Sequence, residues 1–104
     1  MTTLLKLRKG QFSLVEEKVH PHAPAVGTVV SDLQLPSQCV LTAIIRGGQL
    51  LLPQSDVVVE PGDEILAVAH ASVLPQLAAL VLLRYESLLD RQQHHVEISE
   101  NASA

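Results

Sequence analysis

The first clear pattern along the chain is an alternation of apolar and polar positions between Gln11 and Val19. Phe12 and Leu14 occupy one parity of this segment, while Val15 and Val19 occupy the other, so the strand has one clean and one mixed apolar face. The segment His20–Pro24 then brings two prolines within five residues, and proline cannot donate a hydrogen bond to a β-ladder. The pattern therefore predicts a strand over 11–19 that ends at this segment.

Helical spacing replaces the alternation between Gly27 and Leu35. Val29, Val30 and Leu33 recur at the steps that place side chains on one face of a helix. Pro36 follows and disfavours helical backbone at the residue before it. The spacing predicts a helix of about two turns over 27–35.

Three more strands and two tight turns are predicted in the middle of the chain. Segments 40–46 and 64–70 are apolar at almost every position, which is typical of central strands. Gly47-Gly48 predicts a two-residue hairpin that leads into a partner strand over 49–52. The sequence Glu60-Pro-Gly-Asp63 predicts a tight turn before the last strand.

A long apolar stripe predicts a final helix. Ser72 suits the N-cap position, and Pro75 suits the first turn, where its missing N–H group costs little. The stripe extends over about five turns. Its members are Leu74, Leu77, Ala78, Val81, Leu82, Tyr85, Leu88 and Leu89. The polar tail from Asp90 to Ala104 is expected to fray. The element order β-α-β-β-β-α predicts an α+β fold, a mostly antiparallel sheet covered by helices.

Sheet area predicts a homodimer. The final helix can cover one face of the sheet, but a helix of two turns, at ~5.4 Å per turn, is too short to cover the other. Exposed aliphatic surface of that extent usually marks an interface, and a two-fold pair is the commonest arrangement. We expect Val29, Val30 and the strand over 40–46 to lie near the shared surface.

Composition bounds the class of protein. The chain has 104 residues, which suits one domain, and 47% of them are apolar. Phe12 and Tyr85 are the only aromatic residues, so the stacking platforms of single-strand nucleic-acid binders are missing. The formal net charge of −4 is also the wrong sign for binding a phosphate backbone. We therefore expect no nucleic-acid partner.

Neither secretion nor membrane insertion is predicted. The first ten residues alternate apolar and basic side chains and lack the continuous apolar region of a signal peptide. The longest apolar run, Leu77–Leu83, is well below the ~20 residues of a transmembrane helix. The single cysteine, Cys39, cannot form an internal disulfide, which fits a small buried side chain in a reducing compartment. These features favour a cytoplasmic protein.

Two histidine pairs are candidates for metal chemistry. His20 and His22 lie two residues apart and could bind Zn²⁺ or Ni²⁺ if a third ligand came from elsewhere. His94 and His95 are adjacent in the polar tail. No cysteine or carboxylate has companion spacing, so solvated surface histidines are the simpler interpretation. We predict no metal and no cofactor, with a metal-dependent module that uses His20 and His22 as the alternative.

No motif in the sequence indicates catalysis. There is no GxSxG nucleophile elbow, and no phosphate-binding lysine or GxGxxG pattern accompanies Gly47-Gly48. Asp63, beside Gly62, is explained as a turn residue whose carboxylate caps backbone amides. We predict that the chain is not an enzyme. Arg46 is a lone cation at the end of an aliphatic strand, and it either faces solvent, where it prevents edge pairing, or contacts a ligand.

Several segments, taken in order, resemble one known family. The segments are Ala25–Leu33, Val40–Gly48, Leu52-Pro53 and Glu60–Leu66. From about Phe12 to Leu83 the chain resembles the TrkA-C family, the C-terminal lobe of RCK regulators of potassium channels, potassium transporters and cation/proton antiporters. The residues from Leu4 to Phe12 are similar to the hinge that follows the nucleotide-binding RCK N-lobe in longer relatives. We expect the chain to be such a lobe. It is either free-standing or a piece of a longer regulator, and we favour the second.

The resemblance implies a division of the chain and a function. Residues 1–10 would be a hinge-like lead-in, 11–84 the regulatory lobe, and 85–104 a helix end and polar tail. The lobe would be a non-enzymatic module, for ligand sensing or dimerisation, in a potassium or other cation transport system. Its membrane partner would be a channel or transporter, reached through an RCK N-lobe at the inner face of the membrane. A purely structural dimerisation domain is a further alternative.

The resemblance also implies a ligand pocket, because some members bind cyclic di-AMP across a pair of lobes. By position, Val30, Leu35 and Pro53 match the apolar part of that pocket. Pro36 and Val40 stand near the arginine and the asparagine of the family, so a bidentate donor for phosphate is missing. We therefore expect cyclic di-AMP to bind weakly or not at all, with any residual affinity dependent on Arg46. The candidate ligand-binding residues are Val30, Leu35, Pro36, Val40, Arg46 and Pro53.

Overall fold

A five-stranded antiparallel sheet organises residues 1–82, the part of the chain that the computed structural model describes. The strands follow the order β1-β2-β5-β3-β4 across the sheet, so β5 is central. One α-helix, α1, follows β5. The bounds are Thr2–Leu7 for β1, Phe12–Lys18 for β2, Cys39–Arg46 for β3, Gln49–Leu51 for β4, Glu64–His70 for β5 and Leu74–Val81 for α1. The predicted α+β fold with a mostly antiparallel sheet is confirmed.

Both predicted turns are present, and glycine makes each of them possible. Gly47 and Gly48 have φ angles of 57° and 78°, so the β3–β4 hairpin closes through two left-handed residues. Gly62 has a φ of 83° in the turn that precedes β5. Non-glycine residues rarely adopt these angles, which explains why the two glycine positions were reliable signals.

The first strand was not predicted, because the adjacent residues Leu4 and Leu5 interrupt the alternation of the first ten residues. β1 pairs with β2, and the register shifts by a β-bulge between Thr3 and Leu5, which breaks the two-residue period. Arg8 and Lys9 then close the β1–β2 turn with φ angles of 49° and 57°. The segment that resembles a hinge thus forms an edge strand of the sheet. The domain boundaries inferred from the resemblance stay predictions.

The helix predicted over 27–35 is wrong: a single 3₁₀ turn, Val30–Asp32, takes its place. Only Asp32 and Leu33 donate within the segment, while the N–H groups just before them bond to a neighbouring loop. Val30 donates to the carbonyl of Val57 at 2.8 Å, and Ser31 donates to that of Ser55 at 3.1 Å. The consecutive β-branched residues Val29 and Val30 also disfavour a helix. Hydrogen bonds to a distant loop therefore take the place of most helical hydrogen bonds.

The final helix starts later and ends earlier than its apolar stripe predicts. Ser72 is not the N-cap; it lies in a 3₁₀ turn, Ala71–Val73, where its N–H group donates to Nδ1 of His70. The helix ends at Val81, because Leu82 has extended backbone. Carbonyl groups of its last turn accept hydrogen bonds from the N–H groups of His20 and Ala25, which satisfies them without further helix. The rest of the stripe, Tyr85, Leu88 and Leu89, and the tail lie outside the described residues.

The helix and the long loops all pack on one face of the sheet. One core cluster joins β3 and β5 to the loops and to Val81, and the other joins β2 and β5 to Leu77. The buried members are Val15, Val19, Ala23, Ala25, Ile44, Val59, Ile65, Ala67, Ala69, Leu77 and Val81. Val30 packs against this core, so it lies on the covered side of the sheet.

The opposite face of the sheet, here called the outer face, consists of the side chains of the other parity. Strand register places them in cross-strand rows, and none belongs to either core cluster. The apolar members are Leu5, Leu7, Phe12, Leu14, Val40, Ala43, Ile45, Leu50, Leu66 and Val68. Among residues 1–82, no helix has the length and hydropathy needed to cross a membrane.

Candidate functional site

Arg46 and Asp63 form the best-defined polar cluster in residues 1–82. Arg46 ends β3 and Asp63 immediately precedes β5, so the antiparallel pairing of these strands brings the two side chains together. Nε of Arg46 donates to Oδ1 of Asp63 at 2.8 Å, and Nη2 donates to Oδ2 at 2.9 Å. This is the bidentate geometry that makes arginine–carboxylate pairs strong.

Further bonds complete the cluster. Nη2 of Arg46 also donates to the carbonyl of Val58 at 2.8 Å, and Nη1 lies 3.2 Å from Oε2 of Glu60. The backbone N–H of Glu60 donates to Oδ2 of Asp63 at 2.9 Å, which confirms the turn-capping role predicted for Asp63. The pair therefore holds the end of β3, the 58–60 segment and the start of β5 together.

The environment of the pair lowers the pKa of Asp63. Asp63 is 1% exposed, and burial by itself raises the pKa of its carboxyl group. The hydrogen bonds from Arg46, the N–H group of Glu60 and the positive charge outweigh burial, so the net pKa shift is downward. The hydrogen bond to Asp63 raises the pKa of Arg46, and both groups stay ionised at neutral pH.

The alternative of a solvent-facing Arg46 is wrong. Its side chain is 30% exposed, and all three guanidinium nitrogens have acceptors. The sequence signal for this pair was available: an arginine ends one strand and an aspartate begins its antiparallel neighbour. It was missed because the pairing of β3 with β5 is not local.

The apolar candidate residues lie on two sides of the sheet. Val30 and Leu35 pack on the covered side of the sheet. Leu35 lines a cavity of about 10 Å³, which has room for one water molecule at most. Val40 is 62% exposed on the outer face. Pro36 and Pro53 are half-buried in loops before β3 and after β4. A single copy therefore does not bring all six candidates together.

The histidines near residue 20 interact with each other. Nδ1 of His20 accepts a hydrogen bond from the backbone N–H of His22 at 3.0 Å, and the two rings are 5.8 Å apart. Within residues 1–82, no three His, Cys, Asp or Glu side chains are grouped closely enough to hold a metal ion. His94 and His95 lie outside the described residues. Cys39 is half-buried, and burial raises the pKa of its thiol, which disfavours the reactive thiolate.

The sheet order and the position of the helix define the class of fold. The structure is similar to a solved chain described as "RCK_C domain dimer of S.agalactiae BusR in complex with c-di-AMP", with a TM-score of 0.59 and 23% sequence identity. The match covers 69% of this chain and 93% of that chain. At this identity the likeness shows the fold alone: an α+β lobe of the RCK_C type.

Sequence comparison gives the family. The sequence model of the TrkA-C domain matches residues 14–82, and this chain belongs to the TrkA-C domain family. A Trk system potassium uptake protein TrkA of Mycobacterium tuberculosis is 37% identical over 82 residues, which are 79% of this chain and 37% of that protein. The corresponding protein of Halomonas elongata is 35% identical over 63 residues, 58% of this chain and 14% of that protein. The chain thus spans little more than a third of the length of the M. tuberculosis relative and a smaller share of the H. elongata relative. The family resemblance is confirmed.

Proposed function

We propose that this chain is a non-enzymatic regulatory lobe of a potassium or other cation transport system. The match of the TrkA-C domain to residues 14–82 carries the proposal, and relatives named as potassium uptake proteins support it. The best-defined polar cluster in residues 1–82 suits a structural role, because Arg46 and Asp63 bond to each other and to neighbouring backbone groups.

The lobe acts as a homodimer on a membrane-embedded channel or transporter, through an RCK N-lobe. It works in the cytoplasm, at the inner face of the membrane. The solved chain of the same fold is described as a dimer, which supports pairing by this kind of lobe. Affinity capture of the tagged chain from detergent-treated cells tests the partner. The proposal expects a cation channel or transporter among the captured proteins, and capture of unrelated enzymes alone would count against it.

A small ligand binds where two lobes meet, in a cleft bounded by apolar side chains. Mostly apolar walls with few polar anchors are the usual make-up of a small-molecule site. The walls are Val30, Leu35, Pro36, Val40 and Pro53. Arg46 supplies the cation, and only Nη1, which faces the exposed carboxylate of Glu60, is free to exchange its partner for a phosphate. Cyclic di-AMP therefore binds weakly or not at all.

Calorimetric titration of the chain with cyclic di-AMP tests the ligand proposal. We expect a dissociation constant above the micromolar range, and a still higher one for Arg46→Ala. Thermal unfolding of that variant is measured in parallel, because the substitution also leaves Asp63 without its partner. Sub-micromolar binding that survives in folded Arg46→Ala would show that the pocket holds phosphate by other groups.

A further inference from the structure

We propose that the β1–β2 turn is an anion site that binds a phosphate monoester. Arg8 and Lys9 supply the positive charge, and their backbone N–H groups supply further hydrogen-bond donors. The monoester is carried either by a soluble molecule or by the headgroup of a lipid. The site is separate from the cleft proposed above, because none of the cleft residues belongs to this turn and β5 separates the β1–β2 hairpin from β3.

The cations of residues 1–82 lie toward two ends of the sheet. At the end where β5 begins, carboxylates lie beside them: Lys18 borders a hollow lined by three glutamates, and Arg46 is bound to Asp63. The cations toward the opposite end are Lys6, Arg8 and Lys9. None of these three forms an ion pair within residues 1–82. In a chain with a net charge of −4, this end of the sheet is therefore the part that attracts anions.

The turn holds its two cations in left-handed backbone. Arg8 and Lys9 have φ angles of 49° and 57°, and Gly10 follows at 90°. An Asn-Gly pair closes a turn of this kind at lower cost, since other side chains rarely adopt these angles. Protection of a sheet edge explains Lys6 on β1, but Arg8 and Lys9 lie outside the ladder. Strained backbone is concentrated at binding sites, and a ligand accounts for these two cations better than the fold does.

The same turn leaves two hydrogen-bond donors unused. It closes through the N–H group of Gly10, which donates to the carbonyl of Leu7 at 3.1 Å, and that of Gln11, which donates to the carbonyl of Arg8 at 3.2 Å. The N–H groups of Arg8 and Lys9 have no backbone acceptor in residues 1–82. Successive N–H groups in a turn form a concave site for an anion, as at many phosphate sites.

A hollow beside the turn gives a ligand room. Arg8, Lys9 and Gln11 line it, and its volume of about 370 Å³ lies within the range of about 300 to 1,000 Å³ of small-ligand sites. The carbonyl of Gln11 accepts a hydrogen bond from the N–H group of Ala71 at 2.9 Å, which ties the turn to the end of β5. The two cations are thus presented by a backbone that is already held in place, and this lowers the entropy lost on binding.

These donors suit a phosphate monoester better than a carboxylate. A guanidinium group matches two phosphate oxygens at once, and an ammonium group adds a compact charge. A monoester has three terminal oxygens, so it can accept from Arg8, from Lys9 and from the turn N–H groups together. A carboxylate has only two oxygens and would leave part of this donor set unpaired.

Amide NMR of the full chain during titration with glycerol 3-phosphate tests the site. We expect saturable shifts of the amide signals of Arg8, Lys9 and Gly10. Shifts of the same size with acetate at equal charge would overturn the assignment to phosphate. Vesicles that contain phosphatidic acid, which carries the same monoester, form the second arm. Cosedimentation with these vesicles, but not with pure phosphatidylcholine, identifies a lipid source, and saturable shifts without cosedimentation identify a soluble one. The absence of both responses would overturn the proposal.

Two turn variants separate binding from folding. Arg8→Asn with Lys9→Gly keeps the left-handed turn and removes both cations, so it should weaken binding about tenfold or more while the melting temperature rises by about 4 °C or more. Arg8→Gln with Lys9→Gln keeps the backbone strain, and it should weaken binding to the same extent without that rise. Binding that survives in either folded variant would contradict the assignment of the site to these cations.

A charge-matched control distinguishes a local site from the net charge of the chain. Gln49→Glu with Gln54→Glu also lowers the net charge by two, at exposed positions outside the turn, and it should bind as the wild type does. An equal loss of binding in this control would overturn the proposal. Arg46 is unchanged in all these variants, so the calorimetric test of the cleft and the test of this turn can fail separately.

Discussion

At the scale of the residue, the contact between Arg46 and Asp63 decides how the second half of the lobe is held. The pair joins the β3–β4 hairpin to the turn before β5 through a bidentate contact, while Val58 and Glu60 complete the bonds of both groups. A buried carboxylate is tolerated only where its charge and lone pairs are matched. The cation that stands out in the sequence is therefore a structural residue first.

Removing the charge of Arg46 should lower the stability of the fold more than removing the charge of an exposed lysine. Arg46→Met leaves the carboxylate of Asp63 buried and unpaired, and we expect a loss of about 3 kcal/mol in the free energy of unfolding. Lys6→Met, which removes an exposed charge paired in register with Ser13, should change the free energy of unfolding by less than about 0.5 kcal/mol. Urea denaturation of both variants measures the difference. Equal losses would mean that the pair contributes no more than a surface contact.

The lowered pKa of Asp63 predicts a stability that depends on pH. Its stabilisation is fully present above the pKa of an unfolded aspartate, about 3.9, and is lost as the pH falls through the lower folded pKa. The difference in free energy of unfolding between wild type and Asp63→Asn should therefore be constant above about pH 5 and shrink below about pH 4. Urea titrations from pH 7 to pH 3 measure it. A difference that grows in acid would contradict the sign of the shift.

At the scale of the element, prediction succeeded where local geometry decides and failed where distant segments compete. The Gly47-Gly48 hairpin and β5 could be predicted, because glycine and unbroken apolar runs act locally. The segment over 27–35 has helical spacing, but the N–H groups of Gly27, Val30 and Ser31 bond to residues 55–59, which no local pattern reveals. The final helix was predicted to be too long for the same reason, since N–H groups of the loop residues His20 and Ala25 bond to its last carbonyl groups.

The left-handed residues give a matched test of backbone conformation. Gly48, at a φ of 78°, has space for a side chain, so Gly48→Ala should lower the free energy of unfolding by about 1 kcal/mol through the backbone alone. Gln38, at a φ of 60°, already bears that cost, so Gln38→Gly should raise the free energy by up to about 1 kcal/mol. Chemical denaturation measures both changes. Changes of the same sign would contradict the assignment of strain to these two positions.

At the scale of the whole molecule, residues 1–82 cover one face of the sheet and leave the other open. The sequence predicted that some sheet surface would be left for a partner, and the open face now has defined residues. The residues expected near the shared surface lie on both sides of the sheet, because Val30 packs on the covered side while Val40 lies on the open one. Sequence alone could not separate them, since the faces of the sheet follow from the register of strands that are distant in the chain.

The central claim is that the lobe regulates cation transport. It is tested most directly by the initial rate of rubidium uptake, a tracer for potassium, in cells from which this chain has been deleted and then restored. The account predicts that deletion changes the uptake rate severalfold at limiting external potassium and that the restored chain returns it to the wild-type value. An uptake rate that deletion leaves unchanged across the range of external potassium would contradict the account.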